Sequence, residues 1–206
     1  MHKKLMMACM AIAAFAAFVI APMASAATLT ENGTAVAVGS SITGKAGETK
    51  FTAGAETVIC SAADMSGTVT TNSGGAIAGE IAALNPSFTG TATGGDCTSE
   101  NLGPVKPTVN SKLCLSIAKG TDKGTVTGCA GAAVTFTLAV TNLGINCRYE
   151  KSSIEVEITT SPKDAEVKVV PGQMVPRESN FLCPAQGELD MEFVLTTTGG
   201  TTLTFS

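Results

Sequence analysis

Apolar and polar residues alternate with a period of two along much of the chain. Val134, Phe136, Leu138 and Val140 are interleaved with Thr135, Thr137 and Ala139. Ile154, Val156 and Ile158 alternate with Glu155, Glu157 and Thr159, and Leu189, Met191, Phe193 and Leu195 with Asp190 and Glu192. Leu203 and Phe205 alternate with Thr202 and Thr204. Successive strand side chains point to opposite faces, so each stretch predicts a strand with one face inward and one in water. No long segment carries a 3.6-residue apolar period. Further upstream, residues 68–71 run into the turn signal Asn72-Ser73-Gly74-Gly75, residues 76–84 read as a strand containing Gly79, and residues 88–93 as another ending at Gly94-Gly95-Asp96. Asn32-Gly33 reads as a two-residue turn. Turn clusters recur about every 10–15 residues, which predicts roughly a dozen short strands in an all-β fold, an antiparallel β-sandwich or partly closed barrel.

The pattern also fixes registers. If Thr160 and Ala165 flank a loop at 161–164, Ile158 faces Val167 and Val156 faces Val169 inward, and Glu157 faces Lys168 outward. A one-residue slip would put every side chain on the wrong face. A hairpin about the polar residues 119–124 places Cys114 directly opposite Cys129. Two stretches resist assignment. Residues 98–112 hold Pro104 and Pro107 and predict a crossover within one domain or a linker between two small β domains. Residues 171–187 hold Pro171, Pro176 and Pro184 and predict a long loop.

Composition adds the compartment. His2-Lys3-Lys4, an apolar run over 6–22 and Ala24-Ser25-Ala26 are the parts of a secretory signal peptide, with cleavage expected after Ala26 and a single domain over 27–206. No second apolar stretch is long enough to predict a helical membrane span. Six cysteines remain, Cys60, Cys97, Cys114, Cys129, Cys147 and Cys183. An even set in an exported chain reads as disulfides. The hairpin favours Cys114–Cys129, and nearest-neighbour order favours Cys60–Cys97 and Cys147–Cys183. The 29 threonines all follow the signal and suit strands.

Charge and chemistry mostly exclude. Without Lys3 and Lys4 the balance is 11 Lys+Arg against 17 Asp+Glu, or −6, which repels nucleic acid. The only histidine is His2, so Ser-His-Asp and Cys-His machinery and histidine metal sites are not expected. No cofactor and no metal is expected. A calcium site at Asp96 or Asp122 lacks a second carboxylate at coordinating spacing. The surviving enzyme option is a carboxylate pair, Glu155 with Glu157 or Asp190 with Glu192. Both lie opposite an apolar stripe, which reads as a solvated outer face.

The stretch from Cys60 through 66–75 (Ser-Gly-Thr-Val-Thr-Thr-Asn-Ser-Gly-Gly) to 88–97 (Phe-Thr-Gly-Thr-Ala-Thr-Gly-Gly-Asp-Cys) resembles a group of small exported bacterial all-β proteins. These share six cysteines and a Thr-rich terminal strand like residues 201–206. The resemblance implies the fold and export and carries over no site residues.

The expected function is therefore a non-catalytic, secreted or cell-surface binding or structural module with an unknown extracellular ligand or surface partner. The alternatives are a secreted hydrolase using a carboxylate pair and a pilin-like subunit that exchanges a strand. Binding residues are expected on the 171–187 loop, at Met174, Arg177, Glu178, Asn180 and Phe181, with Arg148 brought near by a Cys147–Cys183 bridge.

Overall fold

The alternating stretches form the wall of a barrel. The computed structural model describes residues 28–87, 97–109, 111–160, 164–176 and 182–206. Among these, β1 (Leu29–Glu31) and β2 (Thr34–Ala35) open the chain. Sixteen strands then follow as eight long, interrupted staves. Stave 1 is β3 (Ser41–Ala46) with β4 (Thr49–Ala53), and stave 2 is β5 (Glu56–Cys60) with β6 (Ala62–Ser73). Stave 3 is β7 (Ala76–Ser87) with β8 (Cys97–Ser99), and stave 4 is β9 (Gly103–Val109) with β10 (Leu113–Ile117). Stave 5 is β11 (Lys123–Gly128) with β12 (Val134–Val140), and stave 6 is β13 (Ile145–Lys151) with β14 (Ile154–Thr160). Stave 7 is β15 (Ala165–Val169) with β16 (Gln173–Pro176), and stave 8 is β17 (Gly187–Asp190) with β18 (Glu192–Thr197). The last strand is β19 (Leu203–Phe205).

Two eight-stranded antiparallel barrels close, β3-β6-β7-β10-β11-β14-β15-β18 and β4-β5-β8-β9-β12-β13-β16-β17. Both rings read staves 1 to 8 in chain order. Staves cross from one ring to the other at breaks, which among the described residues include Ser61, Ser152-Ser153 and Met191. The molecule is thus an up-and-down meander of two tiers. The interiors join: a cavity of about 60 Å³ is lined by side chains of both tiers, among them Met65, Phe193, Phe136 and Met174, all apolar. Among the described residues the expected dozen strands become nineteen, because long strands are broken at the waist.

A sheet of β19, β1 and β2 packs on one end, with Leu29, Leu203 and Phe205 buried. We call this end the lid. Asn32 and Gly33 join β1 to β2 with φ of 50° and 78°, as a type I′ turn requires. Thr28 and Ser206 meet here, exchanging backbone hydrogen bonds of 2.8 and 2.9 Å. The buried Asn72 side chain fastens β1: its Oδ1 accepts from Leu29 N (2.8 Å), and its Nδ2 donates to Leu29 O (2.7 Å) and Val36 O (2.8 Å).

The register about 161–164 is as expected, with Val156 opposite Val169, Glu157 opposite Lys168 and Ile158 opposite Val167. The ladder extends further. Lys123 faces Glu157, and Lys168 faces Glu192, so four exposed charges of alternating sign cross staves 5 to 8. A membrane barrel presents an apolar band outward, and this wall presents charge instead. Among the described residues no helix is long and apolar enough to cross a membrane.

All three expected disulfides are present, Cys60–Cys97, Cys114–Cys129 and Cys147–Cys183. The register around the second differs from expectation. Cys114 lies opposite Thr127, and Cys129 lies beyond the strand in a 3₁₀ turn over Cys129–Gly131. The hairpin has slipped by two residues, which keeps every side chain on its face. Size selects the observed register: inward Gly124 lies opposite Ile117, and Gly128 opposite Leu113. A Cβ on Gly124 would stand 2.9 Å from Ile117 and 3.1 Å from Val156.

The described residues of 98–112 hold most of β8 and all of β9, strands of the wall. Pro104 faces only β8 and Pro107 only β12, so each proline sits where its strand is paired on one side. The described part of 171–187 likewise holds a strand. β16 pairs with β13 and β17. The expected strand at 88–93 lies outside the described residues.

Gly187 marks the tightest point of the core. A Cβ there would meet the Phe51 ring at 2.2 Å. That ring is held by Phe136 at 5.2 Å and Tyr149 at 5.1 Å. Gly187→Ala is expected to lose about 1–3 kcal/mol in urea unfolding. A loss below about 0.5 kcal/mol would mean that the Phe51 ring has room to yield.

Candidate site at the barrel mouth

The end opposite the lid carries the turn at Gly54-Ala55, residues 100–102, the 3₁₀ turn Thr141–Leu143 and residues 182–186. Inward alternation brings Ala53, Val58, Val105, Leu138 and Val140 around the axis. Cys147 and Tyr149, two residues apart on β13, also turn inward. These side chains line a pocket of about 80 Å³, roofed by Leu182 and Pro184.

The roof is a strap held at three points. Cys183 is bonded to Cys147 of stave 6. The Tyr149 hydroxyl donates to Pro184 O at 3.3 Å. The Pro184 ring packs toward Gly54, where an added Cβ would stand 3.3 Å from it. The strap therefore reaches across the mouth from stave 6 to the turn between staves 1 and 2. Burial pushes the Tyr149 phenol above its ordinary range, so it stays a protonated donor at neutral pH. The roof itself is half open to water, Leu182 being 52% exposed.

Among the described residues Glu56 is the only charged one of the lining. Its Oε2 accepts from the Ser99 hydroxyl at 2.9 Å, and its Oε1 from Asn101 Nδ2 at 3.0 Å. Ser99 is buried. Both bonds hold the carboxylate at the rim, with no cation within ion-pair distance among the described residues.

The residues expected to bind fare unevenly. Arg148 lies between inward Cys147 and Tyr149 and so leaves the wall outward. It is half-buried, and its Nε is buried without a hydrogen-bond partner among the described residues. Met174 is 1% exposed and lines the central cavity. The two therefore lie on opposite faces of the wall and form no common surface. Arg177, Glu178, Asn180 and Phe181 lie outside the described residues, as does Asp96. Glu155, Glu157, Asp190 and Glu192 stand exposed on the convex outer wall. Asp122 is exposed in a turn, and its carbonyl accepts from Ile158 N at 2.7 Å. Among the described residues no three His, Cys, Asp or Glu side chains gather as a metal site.

The sequence reading missed Glu56, Ser99 and Tyr149. One signal was present: Cys147 and Tyr149 share a strand face with the apolar positions, and Arg148 does not. Compared with known proteins, the chain matches no family model, no curated protein and no solved structure.

Proposed function

We propose that the protein is a non-catalytic, exported binding module that takes a small, mainly apolar ligand at the barrel mouth. The observation that carries this is the strapped pocket, whose described lining is mainly apolar, with Glu56 at the rim. Mouths of β-barrels are recurrent ligand sites, and eight staves enclose a space that side chains fill or one small ligand shares. Export agrees with three disulfides, which persist in oxidising compartments. A carboxylate hydrolase is less well supported, because glycosidase acids flank a bound substrate, whereas both acid pairs stand on a convex wall. Strand exchange is less well supported because both rings are closed and the two terminal strands pair with each other.

The chain has one tyrosine and no tryptophan, so its intrinsic emission reports the pocket alone. Titration with n-butanol is expected to change Tyr149 emission saturably, and Val140→Phe, which fills the pocket, to abolish the response. An unsaturable or absent response in the wild-type protein would overturn the proposal.

A further inference from the structure

We infer that the mouth pocket selects a small amphiphilic cation, a short-chain primary ammonium, with its charge on Glu56 and its chain among the apolar side chains. This rests on the mouth being a binding site and adds the class of ligand.

Size comes first. Pockets for drug-sized ligands occupy roughly 300–1,000 Å³. This one offers about 80 Å³, which suits a short chain. Polarity comes next. The walls are Val58, Val105, Leu138, Val140 and Ile145, which cannot satisfy a polar group. The polar end of a ligand is therefore confined to the rim, where Glu56 stands.

Glu56 is prepared to receive a donor. An ionised carboxylate offers about four acceptor sites, and Ser99 and Asn101 occupy two. Both neighbours donate, so they fix its orientation, and among the described residues no cation compensates its charge. A primary ammonium brings three donors and a full positive charge to the open positions. The acidic balance of the chain draws cations toward the protein and repels anions.

The Glu56–Ser99 contact does not itself point to acyl transfer. Ser99 donates to a carboxylate and accepts from Leu102 N at 3.4 Å, and its burial keeps the hydroxyl from a substrate. It acts as a positioning residue for Glu56.

The test compares three probes of one shape, n-butylammonium, n-butanol and butyrate, on the whole wild-type chain at neutral pH. Saturable change of Tyr149 emission and calorimetric heat are both read. Butylammonium is expected to bind at least about tenfold more tightly than butanol, and butyrate more weakly than either. Glu56→Gln, checked for an unchanged thermal midpoint, is expected to bring butylammonium within about threefold of butanol. Equal binding of butylammonium and butanol would overturn the cation inference and leave the apolar pocket standing. Binding of none of the three would overturn both. The wild-type comparison decides even if Glu56→Gln does not fold.

Discussion

Replacing Cys60 and Cys97 together by alanine is expected to lower the free energy of unfolding by about 3–4 kcal/mol. The bridge closes a segment of 37 residues, and a cross-link of that span removes much freedom from the unfolded chain. Its position adds to this. Cys60 and Cys97 continue the Val58–Ser99 and Ile59–Thr98 register, so they meet at the waist, buried at 5% and 0% exposure. One residue, Ser61, separates Cys60 from β6 on stave 2, while nine separate β7 from Cys97 on stave 3. The bridge is therefore what returns stave 3 to the wall beside stave 2. The Cys114–Cys129 pair closes only 15 residues and lies half-buried, so its removal is expected to cost less, about 3 kcal/mol at most. Urea unfolding of the two double-alanine variants checks the order. A larger loss from the Cys114–Cys129 variant would contradict it.

The second large effect is expected at Asn72. In Asn72→Ala the buried Leu29 N and Val36 O lose the partner that the amide supplies. A buried backbone group left unsatisfied costs about 1–3 kcal/mol, so the loss is expected at about 2–4 kcal/mol. The damage has a ceiling, because β1 and β2 can detach from the barrel end without opening the wall. Hydrogen exchange separates the two outcomes. Fast exchange at Leu29 and Val36 with the wall amides unchanged means local release of the lid. Unchanged protection at Leu29 would show that the amide is dispensable.

The wall was legible because two constraints act on each strand. Around 161–164, Ile158 and Val167 must face inward while Glu157 and Lys168 face water, and only one nearby register does both. Around 119–124, alternation could not distinguish registers two residues apart. The choice rests on Gly124 fitting between Ile117 and Val156, a three-strand contact that no hairpin pattern contains. Pro104 and Pro107 misled for a related reason. A proline spoils a ladder only on its paired side, and which sides of β9 are paired is a property of the closed ring. The mouth was least legible. Glu56, Ser99 and Tyr149 come from staves 2, 3 and 6, and Pro184 joins them through the strap. No local spacing brings those four positions together.

Ring closure has a consequence for the order of folding. Consecutive staves are joined by local turns, so seven of the eight seams form between neighbours in the chain. The eighth joins stave 8 to stave 1, pairing Thr196 with Thr43 across 153 residues. Loop-closure entropy grows only logarithmically, so this seam costs about 2 kcal/mol more than a hairpin of about ten residues. It nevertheless has to come last. As the chain is made from its N-terminal end, stave 1 emerges first and keeps one edge open until the final strands arrive. An open edge invites pairing with a wrong chain, and edge lysines discourage it. Lys45 and Lys50 stand on that edge, both exposed. Lys50 is ion-paired with Glu48 at 2.9 Å, and the residue that arrives opposite it is Asp190. The same lysine that repels another copy of stave 1 attracts the strand that belongs there.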